Sequence, residues 1–172
     1  MNQPVGVRVR QATEDDEAAL TELDAMAWSP RSGFPSVIER HHAQDFIFFS
    51  ADNPPEAFLV AESAGVILGY VRLTPPSRLP EHAHVMLIGG IAVHPSARRR
   101  GLAAALLAAS EVHAVNEGAR KLSLRVLGTN EPAIILYERS GFHREGVLRE
   151  EFLINGVYVD DVFMAKLLPA RA

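Results

Sequence analysis

Cysteine is absent from this chain of 172 residues. Without it the chain has no disulfide bond, no thiolate nucleophile and no zinc site built on sulfur. Long apolar runs are also missing: no segment approaches the ~18 apolar residues of a membrane-spanning helix, and the first residues have no apolar stretch of signal-peptide length. These absences predict a cytoplasmic protein that does not bind a membrane.

An excess of positive charge is missing as well. Lys and Arg number 17 against 21 Asp and Glu, which gives a net charge of −4. A protein with this balance has no broad basic field for a phosphate backbone, so we expect no nucleic acid partner. The length and the 48% share of hydrophobic residues predict one domain over residues 1–172 with a substantial core.

Hydrophobic periodicity along the chain alternates between the two-residue period of strands and the wider period of helices. Strands are predicted at residues 5–10, 57–61, 66–73, 84–93, 121–127, 142–148 and 157–167. Helices are predicted at residues 13–28, 36–49, 101–117 and 130–140. This order predicts a mixed α/β fold, a sheet of about six to seven strands with about four helices on its faces. The pair Gly89-Gly90, inside an apolar strand, predicts a bulge or the close approach of a ligand.

Three arginines stand where one of these helices begins, in HPSARRRGLAAALL at residues 94–107. Positive side chains oppose the dipole at a helix N-terminus, so this cluster costs stability unless an anion binds there. The free N–H groups of a helix start bind phosphate. The chain lacks both G-x-x-x-x-G-K-[ST] and G-x-G-x-x-G, which excludes a nucleotide P-loop and a dinucleotide fold.

The segment at residues 98–103, RRRGLA, resembles the acyl-CoA signature [R/Q]-x-x-G-x-[G/A] of the GNAT superfamily of N-acetyltransferases. The segment NEPAIILYERSGF at residues 130–142 is similar to that family's second CoA-side motif, and VRVRQATEDDEAAL and IAVHP match its first strand and helix and its fourth strand. The likeness therefore covers most of the chain. It implies a centrally splayed GNAT sheet and direct transfer of an acetyl group from acetyl-CoA to a primary amine, without a metal.

The same resemblance implies roles for individual residues. Backbone N–H groups at residues 98–104 would hold the pyrophosphate, backbone atoms at residues 91–93 the pantetheine arm, and Asn130 the arm near its end. Tyr137 would lie near the sulfur and act as the general acid, because a tyrosine hydroxyl can donate to a departing thiolate. The residues expected to bind the cofactor are Ile91, Ala92, Val93, Arg98, Arg99, Arg100, Gly101, Leu102, Ala103, Ala104, Asn130 and Tyr137.

The general base stays open. Where many relatives carry a glutamate in the fourth strand this chain has Leu87-Ile88-Gly89-Gly90, and in the fifth strand it has Leu124-Arg125-Val126, which disfavours a ribosomal-protein substrate. Glu81, His82 and His84 could act through water, since histidine titrates near neutral pH. Alternatively the enzyme has no dedicated base and the amine arrives deprotonated.

The acceptor is expected to be the primary amine of a small molecule, with amino acids among the candidates. The alternatives are a protein N-terminal α-amine and, because the usual glutamate is missing, a non-catalytic acyl-CoA sensor. Asp160 and Asp161 either resemble the terminal strand of small-molecule acetyltransferases or form a charge pair that protects an edge strand. The apolar strand at residues 157–167 allows a homodimer, and no metal site is predicted for the histidine pairs at 41–42 and 82–84.

Overall fold

The computed structural model describes residues 6–29, 33–43 and 45–170. Within them, one seven-stranded sheet has the strand order β1-β2-β3-β4-β5-β7-β6. Its strands are β1 (Arg8–Gln11), β2 (Phe58–Ser63), β3 (Val66–Thr74), β4 (Val85–Val93), β5 (Lys121–Leu127), β6 (His143–Ile154) and β7 (Val157–Leu167). The α-helices of the described residues are α1 (Glu17–Ala27), α2 (Pro35–His41), α3 (Leu102–Asn116) and α4 (Glu131–Arg139). The predicted mixed α/β fold is confirmed.

Apolar side chains cover both faces of the sheet, as the two-residue period of its central strands requires. In β2, Val60 belongs to the cluster that contains Leu20 and Leu23 of α1. The next residue, Ala61, belongs to the cluster that contains Leu106 of α3 and side chains of α4. The sheet therefore separates α1 from α3 and α4, and a ligand between strands meets helices from both sides.

The sheet opens between β4 and β5. These strands pair in parallel only from Val85 with Lys121 to Ile88 with Leu124, although both continue. On the other side of β4, the register against β3 shifts so that Gly89 has no partner. The predicted bulge is thus confirmed, and an extra residue in one strand bends it and increases its local twist. The bulge lies where the two central strands separate.

The second predicted helix is wrong in its second half. Helix α2 ends at His41, and residues 45–49 are not helical, while residue 44 lies outside the described residues. The carboxylate of Glu17 accepts hydrogen bonds from the backbone N–H of Phe48 at 2.6 Å and of Phe49 at 2.9 Å. Those amides are held by a side chain of α1, so they cannot continue a helical ladder.

Two strand boundaries lie at least three residues from the predicted positions. The first strand was expected from residue 5, which lies outside the described residues, and it begins at Arg8. The sixth strand continues to Ile154 rather than ending at Leu148. Its pairing with β7 is interrupted between Leu148 and Phe152, where Glu150 has a φ of +53°. Because this irregular stretch is polar, it interrupts the hydrophobic pattern of the strand, and the prediction therefore ended the strand too early.

Arg10 joins β1 to the turn before α1. Its guanidinium donates to both carboxylate oxygens of Asp16, at 2.7 and 2.8 Å, and to Glu62 of β2 at 2.8 Å. The bonds from Arg10 are the largest cause that holds the pKa of Asp16 below its usual value. Asp16 also accepts from the backbone N–H of Thr13 at 2.8 Å, which completes a capping box.

Candidate active site

A cavity of about 670 Å³ lies where β4 and β5 separate. One wall is formed by Gly89, Gly90 and Ile91 of β4, and another by Asn130 and Tyr137 at α4. The cavity continues past these strands to side chains of α1, α2, β3, β6 and β7. It is large enough for two reactants to meet inside.

The N-terminus of α3 has the geometry of an anion site. Gly101 is the residue before the helix, with a φ of +82°, and no described side chain caps it. Arg99, two positions earlier, also has a positive φ of +61°. A turn of this kind directs backbone N–H groups inward, and the positive end of the helix dipole lies behind them. This arrangement fits a pyrophosphate group.

The three arginines before α3 differ in what they do. Arg98 donates from Nη2 to the carbonyl of Ala27 at 2.8 Å and from Nε to the carbonyl of Val93 at 3.2 Å. All three side chains are exposed, but Arg99 and Arg100 have no hydrogen bond to another described residue. Arg98 therefore connects the ends of α1 and β4, whereas the other two guanidinium groups are not held by the described part of the fold. The bond from Nε of Arg98 engages the carbonyl of Val93, which is one of the backbone groups expected to bind pantetheine.

The outer half of β4 offers a backbone edge. Val71, Tyr70 and Gly69 of β3 pair with Ile91, Ala92 and Val93. On the opposite side the pairing with β5 has already ended at Ile88, and no other described strand pairs there. Backbone groups at such an edge bind extended ligands as an added strand would. The predicted pantetheine residues thus lie along an open edge that reaches the cavity.

Asn130, Ala133 and Tyr137 share one face of α4, at helical spacing, and all line the cavity. Tyr137 is 6% exposed and packs against Phe142, with their ring centroids 5.9 Å apart. Burial raises the pKa of Tyr137 to about 12. Its hydroxyl therefore stays protonated at any ordinary pH and remains a hydrogen-bond donor inside the cavity.

A buried carboxylate on the other side of the cavity was missed by the sequence analysis. Asp24 of α1 is 1% exposed, accepts a hydrogen bond from Nε1 of Trp28 at 2.7 Å and another from the hydroxyl of Tyr70, and lies against Nδ1 of His41. Burial, followed by the charge of Asp24, raises the pKa of Tyr70 well above its usual value. The only local signal is the i, i+4 spacing of Asp24 and Trp28 on one helix face.

Arg72 of β3 is the second residue that the sequence did not single out. Its Cδ lies 3.5 Å from where a Cβ would stand on Gly89, so its side chain covers the bulge. Nη2 donates to the carbonyl of Asp52 at 3.1 Å, whereas Nε is buried and has no hydrogen-bond partner among the described residues. A guanidinium that is half-buried and retains an unmet donor favours an anionic ligand.

Asp161 and Arg125 meet across β5 and β7 at the cavity. Arg125 donates from Nε to Asp161 at 2.6 Å and lies over the ring of Phe163, 4.9 Å from its centroid. Asp160 instead accepts from the backbone N–H of Glu150 at 2.8 Å. The interpretation of the two aspartates as an edge-strand pair is wrong, because β7 lies between β5 and β6.

The expected base candidates lie at the other end of β4. Glu81 and His82 are in a turn before the strand, and His84 immediately precedes it, where β4 is still paired with β5. Nδ1 of His82 is 3.1 Å from Oγ of Ser77, and Nδ1 of His84 is 3.1 Å from the carbonyl of Glu81. None of the three lines the cavity.

Neither metal-ligand clusters nor membrane-spanning helices are found among residues 6–29, 33–43 and 45–170. No three His, Asp or Glu side chains in these ranges are grouped as metal ligands. No helix in the same ranges is long and apolar enough to cross a membrane.

The fold and the sequence both match known proteins. The model of the acetyltransferase (GNAT) family matches residues 19–142. The L-amino acid N-acetyltransferase AaaT of Escherichia coli is 29% identical over 163 residues, which cover 92% of this chain and 96% of that protein. The uncharacterized N-acetyltransferase YhfO of Bacillus subtilis is 27% identical over 139 residues, which cover 81% of this chain and 91% of that protein. The structure of yncA from Salmonella typhimurium with its cofactor acetyl-CoA has a TM-score of 0.72 at 21% identity and covers 96% of both chains.

Proposed function

Because the chain belongs to the GNAT family of acetyltransferases and is an acetyl-CoA-dependent N-acetyltransferase, we propose that its acceptor is the primary amine of a small molecule that carries a carboxylate, as an amino acid does. The observation that carries this proposal is the position of Arg72. Its side chain lines the cavity and lies over the bulge of β4, with Nε buried and unpaired among the described residues.

A carboxylate is the ligand that matches this guanidinium, because both groups are planar and can form two parallel hydrogen bonds. Arg125, which also lines the cavity, already binds Asp161. Arg72 is therefore the one of this pair whose donor is unmet. The activity named for AaaT, acetylation of L-amino acids, supports the same class of acceptor.

Aromatic side chains surround the space that the rest of the acceptor would occupy. Phe34 and Phe152 meet edge to face with ring centroids 4.7 Å apart, and both line the cavity with Trp28. Such a wall binds an apolar or polarisable side chain better than a charged one. We therefore expect uncharged amino acids to react better than lysine or glutamate.

The cofactor fits the opposite end of the site. The uncapped start of α3 would hold the pyrophosphate through backbone N–H groups from Gly101 to Ala104, with charge supplied by Arg99 and Arg100. The pantetheine would lie along the free edge of β4. This path would bring the thioester to the bulge, where a backbone N–H of Ile91 or a neighbour could donate to its carbonyl oxygen.

Tyr137 would complete the reaction on the α4 side of the cavity. The amine nitrogen forms a bond to the acetyl carbon, the carbon–sulfur bond breaks, and the electron pair leaves with sulfur. The protonated hydroxyl of Tyr137 donates to that sulfur, and a proton of the acylated nitrogen replaces the one that Tyr137 gives up. The residue thus ends the cycle as it began.

An acceptor panel tests the proposal. Release of free CoA thiol is followed with amino acids, their primary amides, their decarboxylated amines, polyamines and short peptides. We expect amino acids to react and Arg72→Gln to raise their KM by about tenfold or more, since a charge-assisted hydrogen bond contributes about 1.5–3 kcal/mol. The variant should also lose the preference for an amino acid over its amide.

Arg78→Gln is the matched control, because Arg78 is exposed and does not line the cavity. Its KM values should equal those of the wild type. Faster reaction with polyamines or peptide N-termini would replace the proposed acceptor class. Binding of acetyl-CoA with no reaction on any amine would favour the sensor.

A further inference from the structure

We propose that His41 is the general base of acetyl transfer and that the buried carboxylate of Asp24 holds its imidazole in the required tautomer. The inference rests on the proposed function, since His41 can take a proton only from an amine bound in the cavity that it lines. It also supplies a titratable group that the fourth strand lacks, because residues 87–90 carry no titratable side chain.

Asp24 accepts hydrogen bonds from two side chains and contacts a third, that of His41. The side chain of Asp24 is completely buried. Oδ1 accepts from Nε1 of Trp28 and from the hydroxyl of Tyr70, while Oδ2 faces Nδ1 of His41. Because the pKa of Tyr70 is raised by burial and by the nearby carboxylate, the phenol keeps its proton and stays a donor.

His41 stands at the end of α2 with 20% of its side chain exposed. Its ring stacks on Phe46, with the centroids 4.5 Å apart, so its orientation is fixed by packing as well as by Asp24. Nδ1 of His41 and Oδ2 of Asp24 are both buried and touch each other without hydrogen-bond geometry. A proton on Nδ1 would give each of these atoms a partner and would leave the lone pair on Nε2. Nε2 has no hydrogen-bond partner among the described residues. It is the atom that is free to accept a proton.

The indole of Trp28 links this pair to the β4 bulge, where the thioester is expected. The indole of Trp28, which donates to Asp24, passes 3.6 Å from where a Cβ would stand on Gly90. Gly90 borders the β4 bulge, and His41 lines the same cavity as Tyr137 of α4. A base on the wall formed by α1 and α2 and an acid on α4 can thus serve the amine and the sulfur separately.

Charged groups of both signs lie beside His41. Asp24 of α1 contacts its ring, and Arg40 of α2, Asp45 after α2, and Tyr70 and Arg72 of β3 line the cavities that His41 also lines. Across the cavity, Arg125 binds Asp161. The pH dependence of the reaction therefore has to be measured against these neighbours.

The protons balance as follows. An acceptor that arrives as an ammonium ion gives one proton to Nε2 of His41, and the neutral amine then attacks the acetyl carbon. The acylated nitrogen loses a second proton, which restores Tyr137 after that residue protonates the thiolate. His41 releases its proton to water, so the products are the amide, CoA as the thiol and one proton.

Kinetics with the best amine of the panel test this role. We expect His41→Gln to lower kcat/KM at pH 7 by about a hundredfold, the usual contribution of a positioned base. The deficit should shrink as the pH approaches the pKa of the amine, because a deprotonated amine needs no base. A merely structural loss would lower the rate by the same factor at every pH.

His42→Gln is the matched control. His42 is the exposed neighbour, whose Nε2 is 2.8 Å from the carbonyl of Ala25. This variant should keep the pH profile of the wild type. A His41→Gln enzyme with that same profile would overturn the proposal.

A second measurement needs no acceptor. In full-length protein labelled with ¹⁵N-histidine, the signal absent from His41→Gln identifies His41, and its two nitrogen shifts report the tautomer. We expect the neutral ring above pH 8 to carry its proton on Nδ1, with the Nε2 form appearing in Asp24→Asn if that variant folds. A wild-type ring protonated on Nε2 overturns the base assignment, whereas failure of every amine to react overturns the proposed function alone.

Discussion

Arg98 donates from its guanidinium to the carbonyl of Ala27 across 71 positions of sequence, at 2.8 Å. This bond holds the loop before α3 against the end of α1, so one arginine of the basic cluster stabilises the fold. Arg99 and Arg100, exposed like Arg98, make no such bond within the described residues. We therefore propose that the cluster divides into one arginine that stabilises the fold and two that neutralise a bound phosphate.

Separate variants should resolve these roles. We expect Arg98→Met to lower the free energy of unfolding by about 1–2 kcal/mol, because two backbone carbonyls lose a charged donor. The double change Arg99→Met and Arg100→Met should leave that free energy unchanged and weaken acetyl-CoA binding. Urea denaturation and titration calorimetry measure the two quantities. Equal effects of both variants on both quantities would contradict the division.

The backbone at Gly101 should matter more for cofactor binding than any single guanidinium. Gly101→Asp places a carboxylate at the start of α3, where it repels phosphate, and we expect acetyl-CoA affinity to fall by at least about tenfold. The control is Gly118→Asp near the other end of the helix, where the φ of +84° is almost the same and no atom lies within 4 Å of a new Cβ. Both variants carry the same backbone strain, so only the first should lose affinity in calorimetry.

Tyr137→Phe should lower kcat and leave acetyl-CoA affinity unchanged, because the hydroxyl is removed and the buried ring is kept. The acting form of Tyr137 is the protonated one, and its pKa is raised to about 12. The wild-type kcat should therefore show no loss from Tyr137 between pH 6 and about pH 10. Tyr158→Phe, on an exposed position of β7, is the control. Initial rates at saturating acetyl-CoA across this range test both points, and an unchanged kcat in Tyr137→Phe would remove the residue from the mechanism.

The bond between Arg10 and Asp16 predicts a loss of stability in acid. The pKa of Asp16 is lowered in the folded state, so the ionised carboxylate stabilises the fold above the unfolded-state value of about 4, and this contribution is lost as pH falls through the folded-state value. Asp16→Asn should cost about 1–3 kcal/mol at pH 7, and the gap to the wild type should narrow below pH 4. Urea denaturation at several pH values measures it. Asp15→Asn, at the exposed neighbouring position, should show no such gap.

The elements that the sequence predicted well are those whose signals are local. Apolar runs on either side of a short polar turn located β2 and β3, two-residue alternation located β5, and Gly89-Gly90 marked the bulge. The extent of α2 could not be predicted, because the amides of Phe48 and Phe49 are held by Glu17, about thirty positions away. No local sequence pattern predicts a hydrogen bond between residues so far apart in the chain.

The acceptor side of the site was hidden for the same reason. Arg72 is an ordinary polar residue of an alternating strand until β3 pairs with β4 and places it over Gly89. Asp24 is one acid among several in α1 until Tyr70 and His41 meet it. CoA motifs are contiguous in sequence, whereas these residues come together only in the folded chain.

The sheet is weakly joined at the gap between β4 and β5, because only four residue pairs connect the two strands. A ligand that hydrogen-bonds the outer half of β4 and touches α4 would connect the two sides of this gap and stabilise the fold. Since such a ligand binds the folded chain alone, it would raise the melting temperature with the logarithm of its concentration. The resistance of the protein to heat would then depend on the concentration of acetyl-CoA, and the protein would unfold more readily where the cofactor is scarce.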